Sequence, residues 1–300
     1  MFGKTRSAFY KAEDKTSYDN LEHALVIGRV REIRVNQPYI GTEKIYHMIK
    51  PFQEEHGIKI GRDKLDKVLK MHGLQSNHRK RRAGGTNSNH GYRKYPNLAK
   101  DETPDRPNEL WATDITYIRR VNAFSYLSLI TDSYSHLIVG WCLSENLSTD
   151  GPVKALEMAL ASGRKGRAAK LPLMHHSDRG IQYCSRAYVG LLEKRNVTIS
   201  MSRASYQNPV AERINGILKS ELLRDAYPTH DEALAAIEHA IYIYNNERPH
   251  RSVDMMTPAE AHKKTGLIKK RWRTNSWRRK SAEKRRKSQH SLITEPVELF

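Results

Sequence analysis

Three acidic residues sit in local settings that suit metal-dependent phosphoryl chemistry. Asp114 lies mid-strand in "LWATDITYI", Asp178 closes a strand in "LPLMHHSDRG", and Glu212 falls in the first turn of a helix in "NPVAERINGILKSE". Carboxylates gathered in this way bind hard divalent cations, because Mg²⁺ prefers carboxylate and water oxygens in near-octahedral geometry. Two such ions roughly 3.5–4 Å apart stabilise both the attacking and the leaving oxygen when a phosphodiester is displaced in line. With a formal net charge of +19, the phosphodiester to expect is that of a nucleic acid.

Each acid also has an ordinary reading. Asp178 before Arg179-Gly180 suits a turn, and Glu212 suits a first-turn partner of the helix dipole. Asp114 is harder to explain away, since Asp is depleted inside strands and costs desolvation there. Alternation places it on one strand face with Ala112 and Thr116, opposite Trp111, Thr113, Ile115 and Tyr117. On the helix, Glu212, Asn215, Gly216 and Lys219 share a polar face, while Val210, Ile214, Ile217 and Leu218 form the apolar one. Asp132 in "ITDSYS" competes with Asp114 for a place in the set, but its setting also suits a turn. His175 and His176 adjoin Asp178 without ligand-spaced partners, so they read as structural residues.

The elements that must carry these residues are legible in the hydrophobic pattern. Leu21, Ala24, Leu25, Ile27 and Val30 predict an amphipathic helix over 19–34 with that face inward. A helix with Ile45, Ile49 and Phe52 on one side follows, with Thr42 as its N-cap. After a Gly-bearing turn comes another, with Leu65, Val68, Leu69 and Leu74 inward and Arg62, Lys64, Lys67 and Lys70 outward. This suggests a helix-turn-helix over about 40–74, a pattern shared with proteins that never touch DNA. From Gln75 to about Pro107 nothing is periodic, which predicts a linker. Three strands follow within 109–146, then a helix over 150–163, a strand "KLPLMHHS", a helix near 184–195, a strand "VTISMS" and a helix from Pro209. A further helix starts at Thr229, with Thr229 and Glu232 as a capping box, and ends before Pro249. Three strands followed by alternating helices and strands predict an α/β domain with a mixed sheet flanked by helices.

The charge is concentrated. Residues 263–287 hold thirteen Lys/Arg against Glu283, and residues 78–94 hold six Lys/Arg and no acid, leaving about +1 for the rest. Dense basic runs, one interleaved with Trp272 and Trp277, suit phosphate binding. Cys142 and Cys184 form no pair motif, no 20-residue apolar span is present, and the N-terminus lacks a signal-peptide pattern. Together these predict a cytoplasmic location and no membrane partner.

The blocks "LWATDITYI", "ITDSYSHLIVGW", "HHSDRGIQYCSRAYVGLL", "SMSRASYQNPVAERINGILKSE" and "YNNERPHRSVDMMTPAEA" resemble those of insertion-sequence transposases of the second-reading-frame kind. The catalytic part of that group is similar to the retroviral integrase core. The resemblance runs from about residue 1 to about 262. It implies an RNase H-like fold with Asp114, Asp178 and Glu212 as an Asp-Asp-Glu set holding two Mg²⁺ or Mn²⁺ ions. It also implies Lys219 and Arg179 close to DNA and a helix-turn-helix at 40–74. The organisation expected is a helical region over 1–76, a basic linker over 77–106, a catalytic core over 107–225, a helical extension over 226–262 and a basic tail over 263–300. The activity implied is metal-dependent cleavage at element ends followed by strand transfer into target DNA. The chain would act as a homo-oligomer on DNA, with an upstream reading-frame product as a candidate partner; Asn215, Lys64, Lys67 and Lys70 join the expected DNA contacts. A nuclease without strand transfer and a DNA-binding regulator with an inactive core are the rival readings. The 33 residues between Asp178 and Glu212 are slightly fewer than the group usually has, and the tail beyond 262 lies outside its shared blocks.

Overall fold

The structure, a computed structural model, describes residues 6–76, 90–100, 102–163, 171–203 and 208–271, with side chains from Asp19 onward. Trp272, Trp277 and the basic stretch 77–89 lie outside the described residues.

A helical unit opens the chain: α1 (Arg6–Asn36), α2 (Thr42–Met48), α3 (Lys50–Glu55) and α4 (Arg62–Met71). Its core joins Val30 and Ile33 of α1 to Ile45, Ile49, Leu65 and Leu69. The expected inward face of α1 is corrected. Val26, Ile27, Val30 and Ile33 are buried, whereas Leu21 and Leu25 are 60% and 41% exposed and Ala24 is exposed too. The sequence offers two overlapping apolar stripes, and the neighbours choose between them. At 31 residues α1 is roughly 46 Å long, well beyond the three short helices packed on its C-terminal half. The N-cap of α2 is also corrected. Gly41 holds that position without a side-chain bond, and the Thr42 hydroxyl donates instead to Asp66 Oδ1 at 2.9 Å, tying α2 to α4. Pro51 in the first turn of α3 breaks the run that the pattern had read as one helix.

The second layer system is a five-stranded sheet: β1 (Leu110–Arg119), β2 (Phe124–Asp132), β3 (Ile138–Ser144), β4 (Met174–Ser177) and β5 (Thr198–Met201). Its order is β3-β2-β1-β4-β5. β1, β2 and β3 pair antiparallel, while β4 and β5 join parallel to β1. Helices α5 (Asp150–Gly163), α6 (Ile181–Cys184) and α7 (Arg186–Lys194) cover one face, against Trp111, Ile115 and Ile130. The other face packs Ile118, Leu127 and Leu129 under α8 (Pro209–Ile217) and α9 (His230–Asn246). A mixed sheet of this order with helices on both faces is the RNase H-like architecture.

One glycine and two capping residues show why these elements meet. A Cβ on Gly140 of β3 would collide with the Ala155 carbonyl, so only glycine lets α5 lie this close. The Thr229 hydroxyl accepts from Glu232 N at 3.2 Å and starts α9, but the reciprocal bond of a full capping box is made instead by Thr257 and Glu260 at α10 (Pro258–Ala261).

Both flanking segments engage the core. Residues 90–100 run beside the sheet: Met201 N donates to the Pro96 carbonyl at 3.0 Å, and Ser200 Oγ accepts from Leu98 N at 2.9 Å. They partly cover the open edge at β5. Residues 263–271 also fold back, through Gly266 N to the Asp105 carbonyl at 2.7 Å and an Arg271–Asp254 ion pair at 2.5 Å. Among the described residues, no helix is long and apolar enough to cross a membrane.

Candidate active site

The parallel pairing of β1 with β4 sets the geometry. Its register joins Leu110 to Met174 and Ala112 to His176, an offset of 64 residues. Two residues past the last pair on each strand stand Asp114 and, in the loop just after β4, Asp178, close enough for its charge to act on Asp114. Ligand and reaction sites in open α/β sheets gather at such strand ends. Asp114 shares the sheet face of Ile118, the face covered by α8.

The loop after β4 is shaped around Asp178. Gly180 N donates to Asp178 Oδ1 at 2.9 Å, a local turn that holds the carboxylate in place. Any crowding by a side chain here would be steric rather than conformational. Gly180 has φ −61°, but a Cβ on it would stand 3.0 Å from Asp178 Oδ1 and 3.3 Å from Gln182 Oε1. Arg179 follows, half-buried; its Nη2 reaches the Tyr95 carbonyl at 3.5 Å, and its own carbonyl meets His90 Nε2 at 2.8 Å.

Two asparagines dock α8 on β1. Asn208 Nδ2 donates to the Thr113 carbonyl at 2.8 Å, and Asn215 Nδ2 donates to Asp114 Oδ2 at 2.8 Å. They lie seven residues apart, two helical turns, and thus hold both ends of the helix to adjacent residues of one strand. Glu212 lies between them on the exposed side, three residues before Asn215. The helix continues as a π-helical turn over Leu218–Leu222, which carries Lys219 toward Asp114. Such turns are frequent at functional sites. Glu221 anchors this turn: Arg248 grips it from Nε at 3.0 Å and from Nη2 at 2.8 Å, and Lys44 Nζ of α2 adds a bond at 3.2 Å. Burial and the adjacent Arg248 lower the Lys44 pKa to about 8. The helical unit is thereby fastened to the element bearing Lys219.

The electrostatics of the aspartate pair are unfavourable without a cation. Burial first, and the charge of Asp178 second, push the Asp114 pKa up to about 7, against the Ile115 backbone bond, the Asn215 amide and Lys219. Two neighbouring carboxylates offering oxygen donors only, in a half-buried setting, fit a hard divalent cation. Among the described residues, no group of three or more Asp, Glu, His or Cys side chains is arranged to hold a metal. The fold therefore brings two of the three expected carboxylates together and leaves Glu212 outside that pair.

The other candidates separate clearly. Asp132 is fully buried and structural: its Oδ1 accepts from Ser135 N and Ser135 Oγ, both at 2.7 Å, and its Oδ2 from Asn108 N at 2.7 Å. His175 meets the Tyr188 hydroxyl at 2.9 Å, and burial pushes its pKa down to about 3. His176 Nδ1 meets Ser200 Oγ at 2.8 Å. Lys64, Lys67 and Lys70 are exposed along α4, with Lys64 paired to Asp19 at 3.2 Å. Cys142 and Cys184 are free thiols. Asn208, Gly180 and the Glu221–Arg248 pair were not foreseen as supports. "NP" before a helix and "RG" after an acid were the only signals, and neither names a partner.

Comparison with known proteins gives the family. An integrase core domain model matches residues 104–206, and a second integrase core domain model matches residues 195–258. The chain is 33% identical over 275 residues to the insertion element IS600 uncharacterized 31 kDa protein of Shigella sonnei, covering 88% of this chain and 97% of that protein. It is 29% identical over 234 residues to the transposase for insertion sequence element IS629 of Shigella sonnei, 76% of this chain and 77% of that protein. Among solved structures, the HTLV-2 integrase catalytic core domain in complex with magnesium is similar at TM-score 0.41 and 17% identity, over 53% of this chain and 99% of that one. The chain belongs to the insertion-sequence transposases with an integrase core, DDE-type polynucleotidyl transferases.

Proposed function

We propose that Asp114, Asp178 and Glu212 form the catalytic set of a transposase that cuts at the ends of its own element and joins the freed 3′-hydroxyl to target DNA. The observation that supports this reading is the pairing of β1 with β4, which ends two residues before Asp114 and Asp178, together with the Asp114 pKa, pushed up to about 7 by burial first and by the charge of Asp178 second. Mg²⁺ or Mn²⁺, two ions when bound, would supply Lewis-acid stabilisation of the attacking and leaving oxygens. Asp114 and Asp178 would hold them. Glu212 completes the set by turning inward from the exposed first turn of α8, which Asn208 and Asn215 keep docked beside Asp114.

The remaining roles fall to this chain's own groups. Asn215 orients the Asp114 carboxylate through its 2.8 Å bond. Lys219 and Arg179 flank the pair and suit non-bridging phosphate oxygens, so that the scissile phosphate is held in line. Water serves as nucleophile in cleavage, and the 3′-hydroxyl takes its place in strand transfer. Lys64, Lys67 and Lys70 on α4 suit backbone phosphates and position the helical unit on DNA. Recombination joins two ends, so a homo-oligomer on DNA is the expected assembly, with an upstream reading-frame product as a second partner.

The test is mutational. Asp114→Asn, Asp178→Asn and Glu212→Gln should each abolish metal-dependent cleavage while DNA binding persists. Cleavage retained by all three variants refutes the assignment. Scoring joined against merely nicked products separates a transposase from a nuclease.

A further inference from the structure

Residues 90–100 read in the sequence as an aperiodic linker, yet they form a strap along the lip of the site. His90 Nε2 meets the carbonyl of Arg179, the residue after Asp178, at 2.8 Å, and the Arg179 guanidinium reaches back to the Tyr95 carbonyl at 3.5 Å. The strap is thus tied at two points to the Asp178 loop. Further along it is pinned to β5 through Pro96 and Ser200. Its exposed residues include one ring followed by two cations. Tyr92 is 43% exposed with its ring 5.6 Å from that of His90, and Arg93 lies over the Tyr95 ring at 5.0 Å. Arg93 and Lys94 are exposed between the two tyrosines.

We infer that this strap is a single-strand platform, with Tyr92 stacking one unpaired DNA base beside Asp178 while Arg93 and Lys94 hold the flanking phosphates. This rests on the reading of the protein as a DNA transposase and deepens it, since it specifies a substrate end with at least one unpaired nucleotide. The chemistry is that of sequence-tolerant strand binders. A basic track follows the backbone, and an exposed ring offers a face to any base. Tyr92 is exposed and directly precedes the two exposed cations, whereas Tyr95, also in the strap, is half-buried and bonded to Glu193 Oε1.

The test uses the full chain carrying Asp114→Asn, with divalent metal chelated, so that binding is read without turnover. The probes are a blunt duplex and the same duplex with a short single-stranded tail bearing 2-aminopurine at the first unpaired position. The tailed duplex should bind at least about fivefold tighter, the lower end of what one base–aromatic stack supplies, with quenched fluorescence. Tyr92→Ala should erase the preference and the quenching, and Tyr92→Trp should keep both. Arg93→Gln with Lys94→Gln should weaken both probes and flatten the salt dependence. Equal affinity of the parent chain for both probes, or a preference that survives Tyr92→Ala, overturns the platform while leaving the transposase reading intact. Absence of binding to either DNA overturns both.

Discussion

Removing the charge of Asp114 should stabilise the metal-free protein, and by an amount that depends on pH. The carboxyl is raised from 3.8 to about 7, chiefly by burial and then by Asp178. The native state therefore holds this proton more tightly than the unfolded chain. By linkage its contribution is full below the unfolded value, and stability falls as pH rises toward 7. A shift of about three units, at about 1.36 kcal/mol each, puts the full cost near 4 kcal/mol above pH 7. At pH 5 only the first part of that cost has been incurred. Asp114→Asn keeps the shape and retains an oxygen for the Asn215 amide, which donates at 2.8 Å. Its advantage over the parent should therefore grow by roughly 2–3 kcal/mol between pH 5 and pH 8. Urea unfolding of both proteins at the two pH values, with a chelator present, measures this directly, and titrations shared by both proteins cancel in the difference. Mg²⁺ should then stabilise the parent and not the variant, by about 2.7 kcal/mol at a hundredfold excess over Kd. An advantage that is the same at both pH values would refute the argument that the aspartate pair is electrostatically strained.

Three further outcomes follow from the geometry. Gly180→Ala sets a methyl 3.0 Å from Asp178 Oδ1, so metal-dependent cleavage should fall at least about tenfold, the scale of a carboxylate displaced by a fraction of an ångström, with little change in Tm. Arg248→Met leaves buried Glu221 with Lys44 as its remaining cation, in place of an arginine that is 1% exposed; urea unfolding should show a loss of about 3–5 kcal/mol, partly recovered by adding Glu221→Gln. Truncation after residue 271 removes basic residues while sparing the Arg271–Asp254 pair. DNA binding should then lose salt dependence without loss of thermal stability.

The sequence alone was enough to place the five strands and most of the helices, because hydrophobic period and local turn chemistry are written in neighbouring residues. It was also enough to favour Asp114 over Asp132, since an aspartate inside "LWATDITYI" needs a partner that the strand itself cannot give. Partners distant in the chain had to come from the tertiary structure. The 64-residue offset between β1 and β4, the Asn208 and Asn215 docking of α8, the Glu221–Arg248–Lys44 junction and the strap tied to Arg179 all join segments whose spacing carries no periodic signal. The inward face of α1 was misread for the same reason. Two stripes of similar apolarity were available to it, and only the helices packed against its C-terminal half decided that Val26 and Ile33 are covered while Leu21 and Leu25 are not.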